Sequence, residues 1–328
     1  MRDYIIRRIL GMIPLILIVM IVSFGIFSLV PNPFAALTEN PRIKRADVER
    51  LKHAWGFDLP WHLRFFRWFG GVVRGDWGPS LLFPGSTARE VIGRALPITM
   101  RVMGLEFLLA LIIALPIGIL SAVKQYSITD YIVTVISFFG MSMPTFWFGL
   151  LMMMFFSVLL KRPSGMPLLP AGGLMTPGLE DAPFFVKFGD RLQYLVMPVA
   201  VLAFNSIGGW TRYMRTSMLE VIRQDYIRTA RAKGVPERFV INRHALRNAL
   251  IPIVTLVALS APIVVGGAAI TETIFTIPGM GSLIIQAQIK ADYPTAMIAL
   301  MLSSILVIVF NLVADIVYAW IDPRIKYS

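Results

Sequence analysis

Glu106 stands about ten residues into a long apolar stretch, and it is the residue whose chemistry most needs a reason. A carboxylate within a membrane-spanning helix is costly, and by default it marks a substrate path, a buried interhelical bond or a proton relay. A relay needs more than one such group and broken helices repeated in two halves. Asp315 and Glu272 lie nearer the ends of their apolar runs, and the sequence shows no internal repeat. Glu106 is therefore placed, with Met143, Asn205 and Glu272, on a candidate substrate path. Proton-coupled secondary transport through Glu106 is the alternative from a different class. Arg101, on the same stretch, sits nearer the outer interface, where a long side chain can snorkel to the headgroups.

Other reactive residues lead nowhere. Met152, Met153 and Met154 could suggest soft-metal ligation, but consecutive residues point around a helix rather than into one site. His53, His62 and His244 are far apart in the chain, and there is no cysteine. No metal site is expected. No nucleophile, base and carboxylate recur at helical spacing, so the chain does not read as an enzyme. It also lacks Gly-x-x-x-x-Gly-Lys-[Ser/Thr] and has no Gly-Lys pair, so it is expected to bind no nucleotide itself.

The elements that would position these residues are apolar helices. The chain has 328 residues, 56% hydrophobic and only 15% charged, with a mean hydropathy of +0.71. A soluble domain is usually near 25% charged. Runs of about 20 apolar residues, the length needed to cross a bilayer core, occur at about 9–30, 97–121, 131–160, 192–210, 250–271 and 295–320. The third is long, and it is read as one tilted helix kinked at Met143-Pro144. The fourth is diluted by Asn205, Ser206, Gly208 and Gly209, small and polar residues that face other helices. Gly266-Gly267-Ala268-Ala269 would likewise permit close helix approach. The first run follows Arg2, Arg7 and Arg8 but exceeds the core of a signal peptide and lacks a small-x-small cleavage site, so it reads as a retained span.

The net charge of +12 fits cytoplasmic loops and anionic lipid. With the N-terminus inside, the inner segments carry Arg2, Arg7, Arg8, Lys124, Arg324 and Lys326. They also hold the dense set Arg212, Arg215, Arg223, Arg228, Arg231, Lys233, Arg238, Arg243 and Arg247. The outer loops carry only Lys161, Arg162, Lys187, Arg191 and Lys290, apart from the long first loop, which crosses regardless of charge. The expectation is an all-α polytopic protein of six spans, N-in and C-in. Residues 1–30 form the inner terminus and first span, 31–96 an extracytoplasmic subdomain, and 97–328 the core.

In that subdomain, Asp58-Leu59-Pro60 reads as a cap before a helix from Trp61 to Val73, with a shorter helix at Ala46–Trp55. Trp55, Trp61, Trp68 and Trp77 argue for packing or interfacial seating. The loop 161–191, rich in glycine and proline, should be irregular.

The most informative segment is 211–248. Ser217–Lys233 holds strong helix formers, Gly234 interrupts, and Pro236 starts a second helical run to about Asn248. The result is a basic helix-turn-helix tethered at both ends to spans. A DNA-reading role is excluded by that tethering, because the second helix could hardly enter a major groove.

Asp225-Tyr226-Ile227-Arg228-Thr229-Ala230-Arg231-Ala232-Lys233-Gly234, followed by His244 to Pro252, resembles the EAA loop of binding-protein-dependent ABC permeases, in particular the dipeptide/oligopeptide (nickel) family. Ala230 and Gly234 keep that loop's spacing, while Arg228 and Thr229 replace its Glu and first Ala, as the peptide subfamily does. Further segments are similar to family signposts: Gly75-Asp76-Trp77-Gly78, Leu96-Pro97, Pro144-Thr145-Phe146-Trp147, Leu169-Pro170-Ala171-Gly172-Gly173, Thr271-Glu272-Thr273-Ile274-Phe275, Ile277-Pro278-Gly279-Met280-Gly281, Asp292-Tyr293-Pro294 and Asp322 to Tyr327. Pro31-Asn32-Pro33 departs from the family's Pro-Gly-Asp-Pro.

The resemblance implies the type I ABC importer permease fold, an inner-membrane location, and a complex with a second homologous permease, two ATP-binding subunits carrying ATP and Mg, and an external solute-binding protein. It implies that Arg228–Arg238 is a coupling helix, with Tyr226, Arg228, Thr229, Ala230, Arg231, Ala232, Lys233, Gly234, Val235 and Arg238 transmitting ATPase closure to the bundle. Ala230 and Ala232 are the small residues where the partner would approach. Peptides are the leading cargo, with nickel complexes, glutathione and oligosaccharides the alternatives.

Overall fold

The structure, a computed structural model, describes residues 2–29, 38, 44–54, 56, 58–260, 262 and 268–321. Pro31-Asn32-Pro33, Trp55, Gly266-Gly267 and the segment Asp322 to Tyr327 lie outside them. Among the described residues the fold is helical, with extended pairing limited to isolated bridges at Pro79–Thr87 and Lys161–Pro167. The chain divides into two compact units, one of residues 1–99, 265–269 and 278–309, the other of residues 100–264, 270–277 and 310–328.

In the first unit, α1 (Arg2–Ser28) packs on α3 (Trp61–Arg74), which follows α2 (Arg45–Ala54). Phe24 meets the rings of Phe65 and Trp68 at centroid distances of 5.4 and 5.3 Å, and Trp68 and Trp77 join the same apolar core. Trp61 stays exposed. The cap expected at Asp58 is not used: Pro60 occupies that position without a side-chain bond, and Asp58 instead faces His53 at 3.2 Å. α3 ends at Gly75, whose φ of +85° is the left-handed conformation that favours glycine.

The Asp292-Tyr293-Pro294 signpost explains itself here. The buried Asp292 carboxylate accepts hydrogen bonds from Ser80 Oγ at 2.7 Å and the Leu82 amide at 2.9 Å, and it caps the Thr295 amide at 3.2 Å. It thereby pins the loop after α3 to the start of α13 (Tyr293–Ile321). Thr87 and Glu90 form a reciprocal capping box at the start of α4 (Ala88–Val123). Gly281, in α12 (Met280–Ile289), lies so close to Ala269 that a Cβ would sit 2.5 Å from the Ala269 Cα.

Among the described residues, four helices are long and apolar enough to cross a membrane: Ile6–Ser28, Ala88–Val123, Phe184–Ile222 and Tyr293–Ile316. The expected third span differs. α5 (Ile128–Ser142) and α6 (Thr145–Met153, continued as a π-helix over Met154–Leu159) meet at 102°, so the kink falls at Met143-Pro144 as expected but is a sharp break and not a bend within one tilted helix. Pro144 supplies no amide and drives Met143 into extended backbone at φ −78°, ψ 124°. α7 (Phe184–Ile222) starts earlier than expected, so Lys187 and Arg191 lie on it rather than in the preceding loop. Of the expected span 250–271, residues 250–260 and 269–271 are helical among the described residues.

α7 organises the second unit, and Gly208 makes the close helix contact its size suggested. A Cβ on Gly208 would lie 2.6 Å from the Ser137 carbonyl oxygen of α5, and one on Gly140 would lie 2.9 Å from that of Phe204. A Cβ on Gly118 of α4 would lie 2.7 Å from the Thr211 carbonyl oxygen. Backbone-to-backbone packing of this kind is how helices associate without a hydrophobic driving force. The irregular loop before α7 docks through a backbone bond: Gly173 donates its amide to the Phe275 carbonyl at 2.8 Å.

Candidate coupling hairpin and substrate-path cavity

The basic segment folds as a hairpin, with breaks that differ from the sequence expectation. The helix expected over Ser217–Lys233 is interrupted, because Gln224 is extended at ψ 151°. α7 therefore stops at Ile222, and a separate short helix, α8 (Asp225–Ala232), follows. After the turn, α9 (Glu237–Phe239) passes through a π-helical stretch (Val240–Ala245) into α10 (Leu246–Ser260). The second arm is thus continuous with α10.

The turn is a complete Schellman closure. Lys233 caps α8, and Gly234 takes φ +73°. The Gly234 amide donates to the Arg231 carbonyl at 2.9 Å, and the Val235 amide donates to the Ala230 carbonyl at 3.3 Å. A Cβ on Gly234 would meet open space, so glycine is required by backbone conformation and not by crowding. Arg231 grips Glu237 across the turn with Nη2 to Oε1 at 2.6 Å, and that bond holds the Glu237 carboxyl below its ordinary pKa.

One face of α8 is buried and the other is free. Ile227 is fully buried and Ala230 nearly so, within an apolar cluster that includes Met214, Met218, Val240, Ala245 and Ala249, with Val235 packed against it. Burying one isoleucine contributes about 1.5–3 kcal/mol, so the inner face fixes how the hairpin sits on its own spans. Tyr226, Arg228, Thr229, Arg231, Ala232, Lys233 and Arg238 are exposed. This corrects one expectation: Ala230 is small because it packs inward, and of the two alanines only Ala232 faces outward. Two cross-ties hold the arms, Asn248 Nδ2 to Tyr226 Oη at 2.9 Å and Ser217 Oγ to the Ala249 carbonyl at 2.7 Å.

Sequence reasoning missed a buried ion pair beside the hairpin. Arg215 was grouped with the inner-facing basic residues. It donates Nε and Nη2 to Asp130 at 2.7 and 2.8 Å, and Asp130 also accepts from Ser121 Oγ and the Tyr126 amide at 2.9 Å. The pair ties the start of α5 to the last third of α7. The acidic residue at the foot of α5, opposite a basic α7, was the available signal.

Of the candidate path residues, Glu106 and Asn205 come together, lining a cavity of about 310 Å³ with Ser206, Trp210, Tyr213 and Ser260. Met143 does not line it, and Met141 does. Glu272 is buried elsewhere, on α11 (Ala269–Ile274). Glu106 is 5% exposed; Ser206 pairs with its carboxyl group, while Oε1 has no partner among the described residues.

Helices long enough to span a bilayer, a cavity between them and a rigid basic hairpin outside them define a multi-pass membrane transport subunit. The chain belongs to the family described as binding-protein-dependent transport system inner membrane component, which matches residues 114–327, and its first 81 residues match the N-terminal region of such components. It is similar over its whole length to the oligopeptide transport system permease protein AppB of Bacillus subtilis (strain 168), at 42% identity over 327 residues and 100% of both chains. The probable D,D-dipeptide transport system permease protein DdpB of Escherichia coli (strain K12) is 34% identical, with 97% of this chain and 96% of that one covered. The glutathione transport system permease protein GsiC of Salmonella paratyphi A is 33% identical over 100% of both. The chain is a permease subunit of the peptide-type ABC importer family, in the inner membrane.

Proposed function

We propose that this chain forms half of the translocation path for small peptides in an ATP-driven importer, with a second homologous permease supplying the other half. In this reading the chain crosses the membrane six times with both termini inside, which puts the 211–248 hairpin in the cytoplasm. There it docks on separate ATP-binding subunits that hold ATP and Mg, while a solute-binding protein delivers cargo outside. The chain itself carries no catalytic step. Peptide cargo is favoured because the similar permeases are named for oligopeptide, D,D-dipeptide and glutathione transport.

The observation that carries the reading is the two-faced α8: an inner face locked to its own spans and an outer face left exposed, joined by a turn that cannot flex without losing both closing bonds. A rigid lever of this kind converts closure of an ATPase dimer into movement of α7 and α10, and neither state of the path need be favoured without that input.

The test uses the absence of native cysteine. Ala232→Cys and Ala230→Cys are compared in the assembled importer, treated with a short thiol-to-amine crosslinker. Ala232→Cys is expected to link to an ATP-binding subunit, and the buried Ala230→Cys is not. Equal crosslinking of both, or none by either in an importer that still hydrolyses ATP, would remove the docking face assigned here.

A further inference from the structure

The Glu106 cavity is built unlike a packing defect. Its carboxyl-bearing side chain is 95% removed from solvent by its 5% exposure, one oxygen is without a partner, and the side chain lies in a membrane-spanning helix. A buried carboxylate without a cation is strongly disfavoured, and among the described residues the lining supplies no lysine, arginine or histidine. Arg212, on the neighbouring helix, lies over the Phe138 ring at 5.4 Å, and Phe138 is not part of the lining. What the lining does supply is an amide at Asn205, hydroxyls at Ser206, Tyr213 and Ser260, and apolar walls from Phe107 and Trp210, whose rings meet edge-on at 5.2 Å.

We propose that this cavity is an ammonium subsite, in which Glu106 takes the positively charged amino terminus of a passing peptide. The inference rests on the peptide-importer reading and deepens it. An α-ammonium supplies the missing cation for Oε1; Asn205 Nδ2 already donates to the Gly140 carbonyl at 3.4 Å and Ser260 Oγ to the Leu256 carbonyl at 2.8 Å, so these two groups offer their oxygens to peptide N–H groups. The apolar walls suit a side chain of varied size. A volume near 310 Å³, at the small end of ligand pockets, suits the amino end of a peptide and leaves the remainder of the cargo to the wider path. The fit is necessarily loose, because a transport site must release what it binds.

The experiment is uptake by the complete importer in proteoliposomes, with a free-amine tripeptide compared with its N-acetylated counterpart in wild type and Glu106→Gln. The same binding protein serves both, so its own selectivity cancels in the comparison. Wild type is expected to favour the free-amine peptide, and E106Q to narrow that ratio of kcat/KM at least fivefold, chiefly by slowing the free-amine peptide. An unchanged ratio overturns the subsite. So does an equal loss on both peptides, or a loss of dependence on an imposed proton gradient in its place, which would make Glu106 a proton site. If E106Q does not assemble, Glu106→Asp carries the test: the ratio must stay within threefold of wild type while uptake slows, and a collapsed ratio in assembled E106D overturns the proposal. Absence of ATP-driven uptake of either peptide by wild type would instead overturn the peptide-importer reading, and the subsite with it.

Discussion

Replacing Gly234 with valine isolates the hairpin's turn from every other variable. A Cβ at this position would meet nothing within 4 Å, so no clash confounds the result, and the whole effect is the cost of holding a β-branched residue at φ +73°. A non-glycine residue in this region costs about 1–3 kcal/mol, with valine at the upper end because its branched Cβ crowds the following carbonyl. If docking on the ATP-binding subunits needs this turn, that penalty appears as a roughly 5- to 150-fold weakening of docking. The alternative is for the turn to open, losing the Gly234 and Val235 amide bonds and pulling Val235 from the cluster around Ile227. Either route predicts that G234V inserts into the membrane normally but loses cargo-stimulated ATP hydrolysis in the reconstituted importer. Gly234→Asn is the matched control, since asparagine tolerates the left-handed region, and it should retain most of the coupling. Full coupling in G234V, or equal loss in both variants, would refute the turn's role.

Other expectations follow from the same geometry. Asp130→Ala strands Arg215 and should cost about 3 kcal/mol, read as a lower melting temperature in detergent. Adding Arg215→Met should recover much of that loss, because the unpaired charge is then gone. Gly172→Ala would bring a Cβ to 2.5 Å from the Phe275 carbonyl oxygen and should destabilise by about 1–3 kcal/mol. Gly104→Ala, with nothing within 4 Å, should be neutral or slightly stabilising. Glu237 has a folded pKa below its ordinary 4.5, so its ion pair contributes above that value and is lost as pH falls through the lower, folded one. Glu237→Gln should therefore speed amide exchange at Gly234 slightly at pH 7 and make no difference in strong acid. The effect should stay under about 1 kcal/mol, since both partners are exposed. A tag inserted at residue 180 should be reachable only from outside, and one at 235 only from inside.

What the sequence made legible follows from where its physics is local. Gly234 with Pro236 behind it marks a helix stop and a new start whatever surrounds them, and the turn is there. Gly208 of α7 announced a close helix contact, which Ser137 of α5 supplies, whereas its neighbour Gly209 lines the cavity. The misses share a different cause. Ala230 and Ala232 look alike in sequence, and only the cluster around Ile227 decides which one turns inward. Arg215 reads as one more inner-facing cation until the fold brings Asp130 beside it. Met143 stands on the candidate path in sequence, yet it is Met141, two residues earlier on α5, that lines the cavity. Nearest-neighbour chemistry survives translation into structure, whereas the direction in which a side chain points depends on helices far away in the chain.

The central claim is that the hairpin passes work from separate ATP-binding subunits to this chain's helices. The most direct measurement is peptide accumulation in sealed proteoliposomes containing both permeases and the external binding protein, with and without the ATP-binding subunits. Accumulation against a gradient only when those subunits and ATP are present, and abolished by G234V, is the predicted result. Accumulation by the permeases alone, or undiminished accumulation in G234V, would contradict it.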